Sequence, residues 1–233
     1  ILYNNKFKKI DTLQKEFKQH FPKDGWVEHD ALEIWKDVKN LILRIIKNNK
    51  ISSKNILTIG ITNQRETTVL WNKKTGIPVN KAIVWQDRRT SDYCKKIKSA
   101  NKEVIIQKIT GLLIDPYFSA TKIKWILENN KKAKKILKEG NLIFGTIDTW
   151  LLWNLTEKRS HYTDITNASR TMLFDCKKEE WSKTLLKLFN IPINILPEVE
   201  ENVFNFGITN LFGSPIPIGG MAGDQQSATI GQA

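Results

Sequence analysis

The sequence predicts an α/β protein, a mixed sheet that opens on antiparallel hairpins and is flanked by helices. Three observations carry this reading. From Asp30 onward a long stretch repeats its apolar residues at helical spacing behind an N-cap signal. Short isoleucine-rich runs of strand length, such as 55–61, alternate with helical patterns. Hairpin-type turn signals, Asn4-Asn5 and Lys73-Lys-Thr-Gly76, separate the early strand-like segments.

Taken in order, Ile1-Leu-Tyr3 reads as the tail of a strand, turned at Asn4-Asn5 because asparagine tolerates positive φ. A polar strand ladder is expected to about His20, then a loop from Pro22 to His29. Asp30, with Glu33 three places on, predicts a helix start. Leu32, Trp35, Val38, Leu41, Ile42, Ile45 and Ile46 then mark one face of a helix of roughly 18 residues. Residues 55–61 read as a buried strand, and 67–71 and 82–85 as strands of one hairpin. Helices are expected over 90–98, over 102–109 ahead of Gly111, over 118–128, and on to Leu137 before Gly140. A brief strand at 142–144 leads into an apolar helix over 146–155, and 179–189 is amphipathic. From Pro217 to Gln226 the pattern is a strand, a glycine turn and a helix start, and the ending at Ser227–Ala233 continues that helix. Both ends are thus expected to fall inside structure, as in a fragment of a longer chain.

Bulk properties exclude several classes. The 233 residues suffice for one large domain or two small ones, with 40% hydrophobic and 26% charged residues. No apolar run reaches membrane-spanning length and no signal peptide is evident, so no membrane span is expected. Cys94 and Cys176 stand far apart in no ligand spacing, which argues against a disulfide framework and for a reducing, cytoplasmic setting. The acceptor patterns at Asn154 and Asn167 are idle in that setting. The formal charge of +13 is mostly lysine scattered among asparagines, with few arginines and no aromatic-basic platform. It reads as solvated surface, with a weak pull on anionic substrates such as nucleotides, and no nucleic-acid partner is expected.

Four polar clusters stand out. In Gly60-Ile-Thr-Asn-Gln-Arg-Glu-Thr-Thr68, Arg65 offers donors and Glu66 acceptors at the end of a strand, suited to adjacent hydroxyls, although taken alone a surface ion pair is the better explanation. Trp85, in Ile83-Val-Trp-Gln-Asp-Arg-Arg-Thr90, can cover the carbon face of a small alcohol or be plain core. Tyr117, in Asp115-Pro-Tyr-Phe-Ser-Ala-Thr-Lys122, sits at a helix start with a free hydroxyl. In Gly219-Gly-Met-Ala-Gly-Asp-Gln-Gln226 the glycines permit close backbone approach and Asp224 is either a functional carboxylate or a helix cap. This last cluster matches neither the P-loop nor the Rossmann glycine spacing. His20, His29 and His161 show no ligand spacing, and no metal site is expected.

In their order these clusters resemble the FGGY carbohydrate kinase family, and within it the glycerol kinases. Gly25-Trp-Val-Glu-His-Asp30, Thr146-Ile-Asp-Thr-Trp-Leu-Leu-Trp153, Thr163-Asp-Ile-Thr-Asn-Ala-Ser-Arg-Thr-Met-Leu-Phe-Asp175 and Gly223-Asp-Gln-Gln-Ser-Ala228 extend the likeness, which runs from about Phe17 to the end. The Arg-Glu pair, the tryptophan and the tyrosine distinguish glycerol kinases from pentose kinases of that family. Asp24 departs from the proline usual there. The resemblance implies an actin-like ATPase, ribonuclease-H-like fold of two domains around a cleft. Residues 1–222 would be the first, glycerol-binding domain without its first strand, and 223–233 the start of the second, ATP-binding domain. The family's first strand and its glycine-threonine turn would precede Ile1, leaving the ATP contacts mostly outside the chain. It further implies a glycerol pocket of Arg65, Glu66, Trp85, Tyr117, Asp224 and Gln225, with Asp224 as catalytic base. The implied activity is ATP-dependent phosphorylation of glycerol to sn-glycerol 3-phosphate, with ATP and Mg²⁺ as cofactors. The partners are glycerol and MgATP, and the full-length protein is expected to be a homo-oligomer, dimer or tetramer. Alternatives are another sugar or polyol kinase of the family, or an inactive actin-like binding fragment, since residues 1–233 alone are expected to be inactive.

Overall fold

The computed structural model describes residues 1–232, and Ala233 lies outside them. Strands β1 (Leu2–Tyr3) and β2 (Lys9–Asp11) form the expected opening hairpin. Asn4 contributes to the turn through its side chain, which accepts from the Lys6 and Lys8 N–H groups at 2.9 and 3.0 Å. The left-handed residue is Phe7 (φ 56°), not an asparagine. The expected ladder to His20 is interrupted. Residues 12–18 form no strand; the chain is tied to the next helix by side chains, Asp11 at the end of β2 accepting from Asn49 at 2.6 Å and Lys15 pairing with Asp37. Pairing resumes with β3 (Gln19–His20) and β4 (Glu28–His29), so the expected loop before Asp30 ends in a strand.

Helix α1 (Ala31–Asn48) has the expected 18 residues, and the Asp30 carboxylate caps it by accepting from the Leu32 and Glu33 N–H groups. Its buried stripe is Ala31 and Ile34, with Trp35, Val38, Ile42 and Ile46 packed alongside, whereas Leu32 lies off the stripe and is exposed. A 3-10 turn over Ser53–Asn55, capped by Ser52, displaces the next strand, so β5 spans Ile59–Asn63 rather than 55–61. Of its residues only Ile61 and Asn63 are fully buried.

β6 (Val69–Asn72) and β7 (Ala82–Ile83) are joined as a hairpin by reciprocal Thr68–Ile83 backbone bonds and by Val79 N–H to the Leu70 carbonyl. Beyond that contact they diverge, β7 pairing with β4 and β6 with β8 (Leu142–Gly145). Helices α2 (Ser91–Ser99), α3 (Glu103–Thr110), α4 (Ser119–Asn129) and α5 (Lys131–Lys138) lie within about two residues of expectation. Gly111 and Gly140 follow α3 and α5 in left-handed conformations (φ 74° and 68°) that a side chain would strain.

After α6 (Ile147–Leu155) come β9 (Tyr162–Asp164), the short α7 (Ile165–Ala168), β10 (Phe174–Asp175) and β11 (Glu180–Trp181). The amphipathic stretch expected from Glu179 begins as this last strand, because Trp181 packs edge-on against Phe174 across the β10–β11 pair. Helix α8 (Lys183–Phe189) starts only after the Ser182 cap. β12 (Glu198–Glu200) runs parallel to β9, and β13 (Val203–Thr209) pairs antiparallel with β14 (Ile216–Gly223). β14 in turn runs parallel to β5, giving a mixed three-stranded sheet β13-β14-β5. The expected glycine turn is absent from this segment. Gly219, Gly220 and Gly223 all lie in β14, and α9 (Asp224–Gln232) follows directly. Gly219 is there for room, since a Cβ would sit 2.7 Å from the Thr58 hydroxyl.

The strand period divides the core into two layers. On β6 and β8, Leu70, Leu142 and Phe144 face a layer filled by α4, α5 and α8. Val69, Trp71 and Ile143 face the opposite layer, with α1, α6, β5 and β14. Among the described residues no helix is long and apolar enough to cross a membrane.

Candidate active site

The parallel strands β5 and β14 end side by side, Asn63 opposite Gly223, and each carries a polar cluster past its last residue. After β5 the chain makes a three-residue turn, Thr67 N–H bonding the Arg65 carbonyl at 2.7 Å. Glu66 at its centre has φ 61°, costly for a residue with a Cβ. The turn is held by neighbours, since the Glu66 carbonyl accepts from the Ser119 hydroxyl (3.1 Å) and the Thr68 hydroxyl (3.2 Å).

Arg65 is only 3% exposed, and its guanidinium reaches the end of β14. Nε bonds Asp224 Oδ1 and Nη1 bonds Gln226 Oε1, both at 3.2 Å. Gly223 makes this passage possible, as a Cβ there would lie 2.3 Å from Arg65 Cδ. Asp224, the first residue of α9, is half-exposed (53%), so one carboxylate faces both Arg65 and solvent. Gln225 is exposed on the same turn, and it is Gln226, which the sequence did not single out, that takes the second guanidinium bond.

Glu66 is 1% exposed, and Arg170 donates to its Oε1 at 2.6 Å. Burial raises the Glu66 carboxyl above the ordinary carboxylate range, against the pull of Arg170, Arg65 and Lys122. The Arg170 guanidinium also lies 5.5 Å from the centre of the Tyr117 ring. Tyr117 and Trp85 meet at 5.2 Å between ring centres, tilted by 50°. Their loops are tied together: Arg88 bonds Asp115 at 2.9 Å, and the same Asp115 oxygen accepts the Tyr117 N–H. Burial also raises the Tyr117 phenol.

Arg65, Glu66, Trp85, Tyr117 and Asp224 therefore form one connected string of contacts, with Gln225 beside Asp224. Arg170 and Lys122 belong with them, although nothing in the sequence separates them from the rest of their motifs. Lys122 is fully buried, bonded to the Tyr117 and Phe118 carbonyls, and burial brings its ammonium down to about 7. Beneath the two strand ends lies a polar web. Asn63 and Asn167 exchange amide bonds at 2.9 and 3.1 Å, and Asn63 also donates to Asp148 at 3.3 Å. Asp164 accepts from Asn167, Asn202 and the Thr166 hydroxyl, and that hydroxyl accepts the Gly223 N–H at 2.8 Å. Asp148 is pushed up to about 6 by burial and by the Asp164 carboxylate. The motif residues 163–175 thus brace the end of β14 from behind, ahead of Asp224.

Comparison with known proteins follows the same outline. Residues 1–231 match the N-terminal domain model of the FGGY family of carbohydrate kinases. The glycerol kinase of Treponema denticola is 53% identical over 236 aligned residues, covering 100% of this chain and 48% of that protein. That of Lactococcus lactis is 51% identical, covering 100% and 47%. The chain thus spans about half the length of the curated relatives it matches. A crystal structure of Plasmodium falciparum glycerol kinase with ADP superposes with a TM-score of 0.93 at 39% identity, covering 99% of this chain and 47% of that one. A gluconate kinase from Lactobacillus acidophilus, at 22% identity, matches with a TM-score of 0.86 over 98% of this chain and 46% of its own, a likeness of fold alone.

Proposed function

The chain belongs to the FGGY family of carbohydrate kinases, with the actin-like, ribonuclease-H-like fold of that family, and from this premise we propose that the intact protein phosphorylates glycerol with MgATP. The product is sn-glycerol 3-phosphate. The observation that carries the reading is the convergence of a buried donor (Arg65), a buried acceptor (Glu66) and a half-exposed carboxylate (Asp224) beside the Trp85–Tyr117 pair.

Glycerol offers three hydroxyls on three carbons. Arg65 and Glu66 supply the donors and acceptors that such a molecule needs, and the aromatic pair covers its carbon face. A site built to hydrogen-bond hydroxyls rejects an analogue lacking one by up to ~10⁴-fold, because its buried polar groups are left unpaired. Phosphoryl transfer asks the protein mainly for positioning and charge stabilisation. A hydroxyl proton with a pKa near ~16 is not removed beforehand by a carboxylate near ~4. Asp224 instead orients the attacking hydroxyl in line and accepts its proton as the new O–P bond forms. Gln225 sits next to it on the same helical turn, within the proposed pocket.

Mg²⁺ enters as part of the substrate MgATP. Among the described residues no group of three His, Cys, Asp or Glu side chains is placed to hold a metal ion of the protein's own. In this reading residues 1–222 form the glycerol-binding domain, and 223–233, where β14 passes into α9, open the ATP-binding one. The intact protein is further proposed to be cytoplasmic and a homo-oligomer, a dimer or tetramer, which light scattering tests. The activity is tested by ADP release from the intact protein with glycerol and with a panel of pentoses and longer polyols. Wild-type turnover restricted to glycerol, with Asp224→Asn below about a tenth of wild-type kcat (~1.4 kcal/mol or more), supports the reading. A preference for another polyol refutes the substrate, and an active Asp224→Asn protein refutes the base.

A further inference from the structure

We propose that Arg170 is a positioning residue of this site, holding the Glu66 carboxylate and the Tyr117 ring in register for the substrate hydroxyls. The proposal rests on the glycerol reading above for the ligand it names, and on the geometry for the residue.

Arg170 stands just past α7, where its N–H bonds the Asn167 carbonyl at 3.1 Å, so its backbone is anchored to the polar web under the strand ends. From there its side chain, 26% exposed, reaches two pocket walls that come from different parts of the chain. Its Nε donates to Glu66 Oε1 at 2.6 Å. Its guanidinium carbon Cζ lies 5.5 Å from the Tyr117 ring centre and 4.9 Å from that of Phe118. The flat, always-charged guanidinium suits both contacts at once, a directed bond to a carboxylate and packing against a ring.

Only one oxygen of Glu66 is engaged in this way. Among the described residues Oε2 accepts no hydrogen bond, which leaves it for an incoming hydroxyl. Glu66 is 1% exposed and sits on a strained turn, so its carboxylate has little hydration to fall back on. To accept from a hydroxyl it must be ionised, and burial works against that. The groups facing it are the Arg170 and Arg65 guanidiniums, the Lys122 amine and the Tyr117 phenol. Arg65 is shared with Asp224, and Lys122 is bonded to backbone carbonyls and lowered by its own burial. Among the described residues Arg170 alone makes a direct bond to the carboxylate. Removing it raises the pH at which Glu66 takes up a proton and frees Tyr117 to tilt.

The test uses the intact protein with Arg170→Met and Arg170→Lys, measuring KM for glycerol and for ATP between about pH 5 and 8. Arg170→Met is expected to raise KM for glycerol on the order of 100-fold near neutrality, with KM for ATP unchanged. The loss should deepen as pH falls, its inflection displaced upward from wild type. Arg170→Lys, which keeps the charge but not the planar stack, should fall between. In a Glu66→Gln background the Met substitution should cost little more, since no carboxylate remains to be held. Difference infrared spectroscopy against Glu66→Gln reads the Glu66 titration without any substrate, and should show it displaced upward in Arg170→Met. Equal rises in both KM values, a glycerol profile parallel to wild type, or an unmoved Glu66 titration would each overturn the assignment. If wild type turns over no glycerol, the functional reading fails, and the infrared titration still decides the role of Arg170. Should Arg170→Met not fold, Arg170→Lys carries the same comparison.

Discussion

Gly223→Ala is the substitution whose effect the structure defines most sharply. An added Cβ would lie 2.3 Å from Arg65 Cδ and 2.8 Å from Cγ, against ordinary contacts that begin near 3.4 Å. Relieving the closer contact takes about 1.1 Å of movement. The atoms in the way are mid-chain rather than a free end, and Arg65 is 3% exposed, so it cannot swing aside into water. Overpacking of this kind costs ~1–3 kcal/mol of stability. A displacement of ~1 Å in a positioned group costs ~100-fold in rate. The shift would also break the 3.2 Å bond between Arg65 and Asp224. Gly60→Ala is the matched control, since it lies in β5 of the same sheet and nothing stands within 4 Å of its added Cβ. The assay is kcat/KM for glycerol at saturating ATP, paired with thermal melts of both variants. The expected result is a loss near 100-fold in Gly223→Ala with a lowered Tm, and a Gly60→Ala protein close to wild type. A Gly223→Ala protein within about threefold of wild type in kcat/KM would show that Arg65 is not held where function requires it.

Two further outcomes follow from the same contacts. Arg65→Ala should raise KM for glycerol strongly while leaving KM for ATP nearly unchanged; equal losses for both substrates would make Arg65 a prop of the fold. His161 is part-buried with Nε2 bonded to the Phe144 carbonyl at 2.8 Å, and loss of solvent, helped by Lys73, lowers it from 6.5 to about 4. The unfolded chain therefore binds a proton first, so this group's stability is present above about pH 6.5 and lost as pH falls toward 4, about 3 kcal/mol in all. Asp148, raised to about 6, acts in the opposite sense over a similar window and is common to both proteins in the comparison. His161→Gln should flatten the acid limb of urea midpoints measured between pH 7 and 4.5, and an unchanged slope would remove His161 from the account.

The helices were largely legible in the sequence because their signals are local. Asp30 with the 3.6-residue repeat fixed α1, and Gly111 and Gly140 marked stops that a left-handed backbone requires. The strands were less so. β9 and β12 have no apolar run of their own; they are strands because each lies alongside the other. The same holds for Glu180–Trp181, whose helical-looking pattern yielded to pairing with Phe174–Asp175. At 219–223 the glycines suggested a turn because glycine permits one, but tertiary crowding by Thr58 and Arg65 is the reason for at least two of them. Composition reports which residue stands at a position; it does not report what crowds it.

The proposed pocket divides along the same line. Arg65, Glu66, Trp85, Tyr117 and Asp224 could be named from the sequence because each sits in a short polar cluster at the end of an apolar run. Arg170 carries no such mark, lying 104 positions from the carboxylate it bonds. Its partnership exists only because α7 follows β9 to the place where β5 and β14 end. The buried web has the same origin: Asn63, Asp148, Asp164, Asn167 and Thr166 come from separate stretches of the sequence, and four of the five are at most 6% exposed. Packed together they satisfy one another, and each buried carboxylate is paired with amides and hydroxyls instead of cations. Such a web is costly unless complete, since one unpaired member loses ~1–3 kcal/mol. Its completeness is what ties the ends of two strands, distant in sequence, into a single floor, and a floor of that kind is what the proposed role of Asp224, at the first position of α9, requires for a carboxylate to meet a hydroxyl at a fixed distance.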